Sequence, residues 1–177
     1  GQKVGEGRHV LHIDTKSGVK ECTVITKNGL VSKVTVDMGK AELAPEKVPV
    51  RLEGEKVVNK PISIGGNVYR ITCCSMGNPH CTVFVPSVDK LDLEDLGPKF
   101  EHDPMFPERV NVGFVEVIDD HTLKARIWER GSGETMACGT GACASAVAAI
   151  LCGRCKEGED ILVPVSYTHL RAHETGR

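Results

Sequence analysis

The chain has 177 residues, which is the size of one domain, or of one domain with part of a second. Its 22 basic and 24 acidic residues give a net charge of −2, which excludes a strongly basic nucleic-acid binder. Hydrophobic residues make up 40% and charged residues 26%, as in globular proteins. No apolar run approaches the roughly 20 residues that a membrane span requires. Eight irregularly spaced cysteines are too few for a disulfide-dense domain, so we expect a reduced, cytoplasmic protein.

The first forty residues predict a three-stranded β-meander. β-rich runs cover residues 9–14, 19–26 and 30–38, and Asn28-Gly29 suits a tight hairpin because both residues tolerate positive φ. Residues 41–49 carry two prolines and predict a linker. We therefore place a domain boundary after residue 40.

Residues 41–163 predict a second domain of strands and two helices. Strand-like runs lie at 60–64, 67–74, 80–85, 111–118 and 123–130. A first helix is predicted over 89–96, ended by Gly97-Pro98. The alanine-rich segment 140–152 predicts a second helix that is buried all round. One buried helix among antiparallel strands predicts an α+β fold, in which a curled, mainly antiparallel sheet wraps around a central helix.

Both ends of the chain are typical of a fragment. The sequence starts without Met and enters a strand-like pattern within ten residues. Residues 164–177 break the preceding composition and resemble translated sequencing-adapter DNA, so we expect them to be a non-native tail outside the fold. The alternative interpretation is a short polar tail.

The most informative motif is the glycine-rich stretch from Glu129 to Cys143. It would place Cys138 at the start of the buried helix, where free N–H groups and the helix dipole favour negative charge. We therefore expect Cys138 to have a lowered pKa, and the amides of Gly139 and Thr140 to hold a carboxylate. A thiolate beside an anion site suits removal of a proton next to a carboxylate. The alternative is that Cys138 is a small buried residue and that the glycines only turn the chain.

Two shorter motifs supply further polar side chains. Asn78 can donate and accept hydrogen bonds at once, as a zwitterionic amino acid requires, and His80 can orient or polarise a neighbouring group. Asn111 could bind polar groups of a substrate, and Arg130 suits a bidentate grip on a carboxylate. The simpler alternatives are a Gly-Asn-Pro turn, a capping asparagine and a surface ion pair.

The other cysteines favour simpler interpretations. Cys152 and Cys155 have the spacing of half a zinc site, but no second pair is evident, so we expect no metal. Cysteines in strand-like runs, and Cys143 within the helix, are expected to pack in the core.

Together and in this order, these motifs resemble those of the diaminopimelate epimerase family. The matching stretches are Ser75–His80, Glu108–Phe114 and Glu129–Cys143. The resemblance covers residues 1–163 and implies two pseudo-symmetric domains, each a curled sheet around a central helix. Residues 1–40 would be a remnant of the first domain, and 41–163 the second, mostly present.

The resemblance also implies an activity. The expected enzyme is a pyridoxal-independent isomerase that converts LL-diaminopimelate to meso-diaminopimelate, for lysine and cell-wall precursor biosynthesis. Two cysteines, one from each domain, would act as acid and base. No cofactor is implied, and the expected partner is the small amino-acid substrate, with no nucleic acid or membrane; a homodimer is left open.

Individual roles follow from the same resemblance. Cys138 would be the second-domain acid/base group, assisted by His80 and Glu129. The substrate-binding residues would be Asn78, Asn111, Glu129, Arg130, Gly139 and Thr140.

One departure from the family pattern bears on activity. The family's first catalytic cysteine lies in a Gly-Asn-Gly motif that does not occur in this sequence, so we expect this fragment to be inactive alone. Two alternatives remain on the same fold: an enzyme similar to proline racemase or hydroxyproline epimerase, or a non-catalytic ligand-binding domain. A zinc-binding module is a third interpretation.

Overall fold

The computed structural model describes residues 7–15, 18–27, 30–37, 41–135, 139–159 and 161–163, with side chains from residue 41 onward. The chain divides into two compact units, Gly1–Lys40 and Ala41–Arg177. Their assignment to the two domains of an epimerase stays a prediction. The predicted tail, 164–177, lies outside the described residues.

The first unit is the predicted β-meander. Strands β1 (Gly7–Thr15), β2 (Gly18–Lys27) and β3 (Leu30–Asp37) form an antiparallel sheet in chain order. The register between β2 and β3 shifts at Ile25/Thr26. The three strands confirm the sequence prediction; the Asn28-Gly29 turn lies outside the described residues.

The second unit is built on a six-stranded sheet whose order follows the chain. The strands are β4 (Lys60–Ile64), β5 (Asn67–Ser75), β6 (Pro79–Phe84), β7 (Asn111–Asp119), β8 (Thr122–Glu129) and β9 (Gly133–Thr135). All neighbours pair antiparallel except β6 and β7, which run parallel. The parallel pair follows from the long connection between them, which contains helix α1 (Leu93–Glu101). Helix α2 (Gly139–Leu151) follows β9.

The central part of the sheet is buried on both faces. One face packs Val115, Ala125 and Ile127 against Ala149 of α2. The opposite face packs Phe114 and its strand neighbours against α1 and the segment before β4, in a core that includes Val48, Val57, Ile71, Val83, Leu93 and Phe100. Sheet and helices thus form three layers, which confirms the predicted α+β class with a mainly antiparallel sheet.

Helix α2 buries one stripe rather than its whole surface. Gly141, Ala144, Ser145, Ala148 and Ala149 are buried at helical spacing. Apart from the exposed Gly139, the other residues of α2 are half-buried. Its small side chains let the helix lie close to the sheet: a Cβ at Gly113 would lie 3.3 Å from the Ser145 hydroxyl oxygen. Neither described helix has the length and apolar character of a membrane span.

The first helix differs from its prediction. Its N-cap is Asp92, whose side chain accepts from the Asp95 amide, and the helix continues through Pro98 to Glu101 instead of ending at Gly97-Pro98. Tertiary packing overrides the local stop signal, because Phe100 and Glu101 beyond the proline are buried. The short strand β9 also lies where the sequence predicts only a loop.

We predict that Gly97→Ala destabilises the second unit. In an open helix, alanine is favoured over glycine by about 1 kcal/mol. Here, however, a Cβ at residue 97 would overlap the ring of Trp128. The overlap should outweigh the higher helix propensity of alanine and lower the free energy of unfolding by roughly 1–3 kcal/mol.

Urea unfolding followed by tryptophan fluorescence measures this effect on the second unit alone, since Trp128 is the chain's single tryptophan. Lys99→Ala, at a half-exposed position of the same helix, is the control and should change stability by less than about 0.5 kcal/mol. Equal or greater stability of the Gly97 variant would contradict the packing argument.

Candidate functional site

Three strand ends meet at one edge of the six-stranded sheet. Strands β6 and β7 begin there, with His80 paired to Asn111 in parallel register, and β8 ends there at Glu129. By strand alternation, all three residues share the face that packs against α2. Thr140, in the first turn of α2, is hydrogen-bonded to Asn78 at the same edge. The arrangement therefore brings polar side chains together at a helix N-terminus.

A hydrogen-bond chain joins the strand ends to the helix. The Asn78 Nδ2 donates to Thr140 Oγ1 at 3.3 Å, and Asn78 Oδ1 accepts from His80 Nε2 at 3.0 Å. Because the amide nitrogen faces Thr140, the carbonyl oxygen faces the histidine, and His80 must carry its proton on Nε2. Gly77 makes the turn before Asn78 with a φ of 92°, which favours glycine.

His80 is held neutral by its surroundings. Its side chain is 2% exposed, and burial, together with the positive charge of Arg130, lowers its pKa from 6.5 to about 4. A neutral imidazole with such a low pKa is a weak base at neutral pH. We therefore expect His80 to orient Asn78 rather than to transfer protons.

Asn111 connects three parts of the site through its side-chain amide. Its Nδ2 donates to the Pro79 carbonyl at 2.9 Å, and its Oδ1 accepts from the Arg130 amide at 2.7 Å. The Arg130 guanidinium in turn donates to the Glu108 carbonyl at 3.0 Å. The Asn111 amide has a second N–H and the Arg130 guanidinium has further N–H donors, so both side chains can also bind a ligand.

A buried carboxylate supports the turn that carries Arg130. Glu101 Oε1 accepts from the Trp128 indole at 2.9 Å, and Oε2 accepts from Arg109 at 2.9 Å and from the Gly131 amide at 3.1 Å. The turn itself needs glycine, because Gly131 has a φ of 79°. Glu101 is not recognisable as a site residue from the sequence, because its partners lie up to 30 residues away in the chain.

A second buried ion pair fixes β9 to β8. The Arg126 guanidinium donates to both oxygens of Glu134, at 2.7 and 3.0 Å, and to the carbonyls of Val88 and Leu91. Such a bidentate pair gives orientation as well as energy. This pair is not evident from the sequence either, although Glu134 lies inside the glycine-rich motif from Glu129 to Cys143.

The structure brings together five of the predicted site residues: Asn78, His80, Asn111, Arg130 and Thr140. Glu129 lies at the end of β8, half-buried on the same face, and Gly139 is exposed as the first residue of α2. Cys138 lies outside the described residues, so its place in the site stays a prediction.

Three of the strand cysteines, Cys73, Cys74 and Cys81, are buried as predicted, and the side chain of Cys22 lies outside the described residues. Cys143 on α2, predicted to pack in the core, is only half-buried. Burial and the neighbouring thiols of Cys73 and Cys143 raise the pKa of Cys74 to about 12, and burial also raises the pKa of Cys81. Cys74 and Cys81 therefore remain protonated at neutral pH and do not suit acid/base chemistry.

A family model described as diaminopimelate epimerase matches residues 72–172. Curated relatives carry the same description. That from Acetivibrio thermocellus is 49% identical over 146 residues, 82% of this chain and 52% of the relative. That from Desulfovibrio desulfuricans is 44% identical over 172 residues, 94% of this chain and 59% of the relative. The chain thus spans about half the length of the curated relatives it matches.

Two solved structures show the same fold. A hydroxyproline epimerase from Agrobacterium vitis, with bound trans-4-hydroxy-L-proline, aligns with a TM-score of 0.60 at 18% identity, over 90% of this chain and 49% of that one. A probable proline racemase from Agrobacterium radiobacter, with bound carbonate, aligns with a TM-score of 0.58 at 17% identity, over 89% and 49%. At these identities the likeness concerns the fold alone.

We predict that the buried His80 makes stability depend on pH between 4 and 6.5. In this window the unfolded chain binds a proton at residue 80 that the folded chain does not, so the free energy of unfolding rises with pH. The contribution of neutral His80 to the free energy of unfolding is complete above pH 6.5 and is lost as the pH falls towards 4. It amounts to about 3 kcal/mol in total.

Wild type and His80→Gln are compared by urea unfolding from pH 4 to 7.5, again through Trp128. Glutamine can still donate to Asn78 but does not titrate. The difference between the two curves isolates His80, because the other histidines are common to both. Parallel curves would show that His80 is not buried in its neutral form.

Proposed function

The chain belongs to the diaminopimelate epimerase family, and we propose that the full-length protein epimerises LL-diaminopimelate to meso-diaminopimelate without a cofactor. The observation that carries the proposal is the set of polar side chains around the first turn of α2, in the order of the family motifs: Asn78, His80, Asn111, Arg130 and Thr140. This reaction would place the protein in lysine and cell-wall precursor biosynthesis.

The start of α2 suits the carboxylate at the reacting carbon. The first amides of a helix have no partner within the helix, and the helix dipole adds positive potential. Gly139 is exposed, and among the described residues no atom beyond its chain neighbours and its own helix backbone lies within 4 Å of the position a Cβ would take there. A carboxylate can therefore approach this end of the helix, where the family resemblance assigns the amides of Gly139 and Thr140 to it, while the hydrogen bond from Asn78 orients the threonine hydroxyl.

Cys138 directly precedes these amides in the sequence and is the proposed base. The same dipole that holds a carboxylate favours the thiolate over the thiol. Inversion needs a second acid on the opposite face of the carbon, which the family resemblance assigns to a cysteine of the other domain. One thiolate removes the α-proton while the other thiol returns a proton from behind.

Fixed dipoles must stabilise the carbanion because no cofactor delocalises its charge. The N-terminus of α2 and the Asn78 amide can supply them, and neutral His80 holds Asn78 without adding a charge that titrates near neutral pH. At the far end of the substrate, a carboxylate can take the remaining guanidinium donors of Arg130, and the Glu129 carboxylate suits an ammonium group.

We predict that this activity appears as deuterium incorporation in the full-length protein. In deuterated water, the inverted α-carbon must acquire solvent deuterium, because the returned proton comes from a thiol that exchanges with solvent. Cys138→Ala should abolish epimerisation, and Cys138→Ser should nearly do so, because a hydroxyl is a far poorer base. Cys152→Ala, at the other end of α2, is the matched control and should retain activity.

Substrate choice is tested in the same assay with proline and hydroxyproline. Arg130→Ala should weaken diaminopimelate binding by about 2–5 kcal/mol if its carboxylate partner is buried. Faster turnover of proline or hydroxyproline would assign the protein to that substrate class, leaving the cysteine chemistry in place. Full activity of Cys138→Ala would contradict both the substrate assignment and the cysteine chemistry. An absence of any turnover would favour a ligand-binding domain.

A further inference from the structure

Two successive amides of the turn after β8 are held by buried side chains. The Arg130 amide donates to Asn111 at 2.7 Å, and the Gly131 amide donates to Glu101 at 3.1 Å. Asn111 and Glu101 are each 3% exposed. Because these two bonds fix consecutive peptide planes, they set the direction in which the Arg130 side chain leaves the backbone.

The guanidinium of Arg130 is linked to the same carboxylate by a second route. It donates to the Glu108 carbonyl, and the next residue, Arg109, pairs with Glu101 at 2.9 Å. Arg109 has a φ of 63°, a left-handed conformation that a non-glycine residue keeps only when its surroundings hold it. Glu101 therefore fixes both the backbone of Arg130 and the carbonyl that its guanidinium contacts.

Burying a carboxylate at this place costs free energy unless hydrogen bonds and ion pairs replace its contacts with water. The Trp128 indole supplies the third donor to Glu101, and an apolar side chain would fill the space without any such requirement. The exposed His102 imidazole lies farther from the carboxylate, at 3.8 Å. All three hydrogen-bond donors belong to segments that adjoin Arg130: the strand before it, the turn after it, and the loop beneath its guanidinium. This pattern indicates orientation of one residue rather than packing alone.

We propose that Glu101 is a positioning residue that aims the Arg130 guanidinium at the distal carboxylate of the substrate, an inference that rests on the proposed function. Glu101 lies at the last position of α1 and is buried, so a bound substrate would not reach its carboxylate. It acts through Arg130, so its loss should weaken binding and leave the chemical step unchanged.

The kinetic test uses the full-length protein with Glu101→Gln, Arg130→Ala and both changes together. Glutamine keeps the shape of Glu101 but turns an N–H₂ group towards a donor and removes the charge that pairs with Arg109. We expect KM for diaminopimelate to rise about tenfold, with kcat within about twofold of wild type. In the Arg130→Ala background, the same change should alter KM by less than about twofold. Asp95→Asn, at an exposed position of the same helix, is the control.

Two kinetic results would overturn the proposal. An equal rise of KM in both backgrounds would show that Glu101 acts through general stability, and an unchanged KM would show that it does not act on binding. If Glu101→Gln does not fold, Arg109→Asn replaces it, because the Arg109 side chain is half-exposed and asparagine tolerates positive φ. It should raise KM about threefold with kcat unchanged, and an unchanged KM would again overturn the proposal.

A measurement independent of activity separates this proposal from the proposed function. In NMR of the 177-residue chain, the variant tested should speed hydrogen exchange of the Gly131 amide about tenfold and make the Arg130 Nε–Hε group more mobile, whereas Asp95→Asn should do neither. Unchanged exchange and mobility would refute the positioning role. If the full-length protein does not turn over diaminopimelate, the proposed function is wrong, and this measurement alone decides the role of Glu101.

Discussion

Asn111 buries an amide whose hydrogen bonds must be satisfied inside the protein, and both of its observed partners are backbone groups of other segments. One partner is the carbonyl of Pro79 at the start of β6, and the other is the amide of Arg130 after β8. An unsatisfied buried amide would cost about 1–3 kcal/mol. This requirement fixes the two parallel strands and the glycine turn relative to one another, and the neighbouring His80 and Arg130 take their positions from it.

Much of the fold could be predicted from the sequence because β-branched runs and turn residues mark the strands. The predicted strands 111–118 and 123–130 are present as the antiparallel pair β7 and β8, and α2 begins and ends within one residue of its predicted bounds. The errors arise where tertiary contacts decide. Helix α1 passes through Pro98 because Phe100, beyond the proline, is buried in the core. The sequence makes no prediction for Arg126, a charged residue of β8 that is buried. A single sequence does not reveal that a second layer covers its face of the sheet.

The sequence predicts those residues of the candidate site whose polar side chains lie close together in the chain. Asn78 and His80 lie two residues apart, and Thr140 opens the helix that the small residues mark, so their motifs could be read locally. Glu101 could not be predicted in this way, because its indole and amide partners lie 27 and 30 residues away in the sequence. A buried acid that ends an amphipathic helix has the same sequence pattern as an exposed one. Only the assembled fold distinguishes the two.

Two ion pairs with a buried carboxylate and the neutral hydrogen-bond chain of the site lie on opposite faces of the sheet. The ion pairs of Arg126 with Glu134, and of Glu101 with Arg109, accompany the core that faces α1. On the face towards α2, the hydrogen-bond chain from His80 through Asn78 to Thr140 is neutral, since the pKa of His80 is about 4. Fixed neutral dipoles stabilise a transient negative charge without neutralising the base that creates it. A neutral hydrogen-bond chain beside the N-terminus of α2 therefore suits the proposed removal of a weakly acidic proton, in which charge appears only near the transition state.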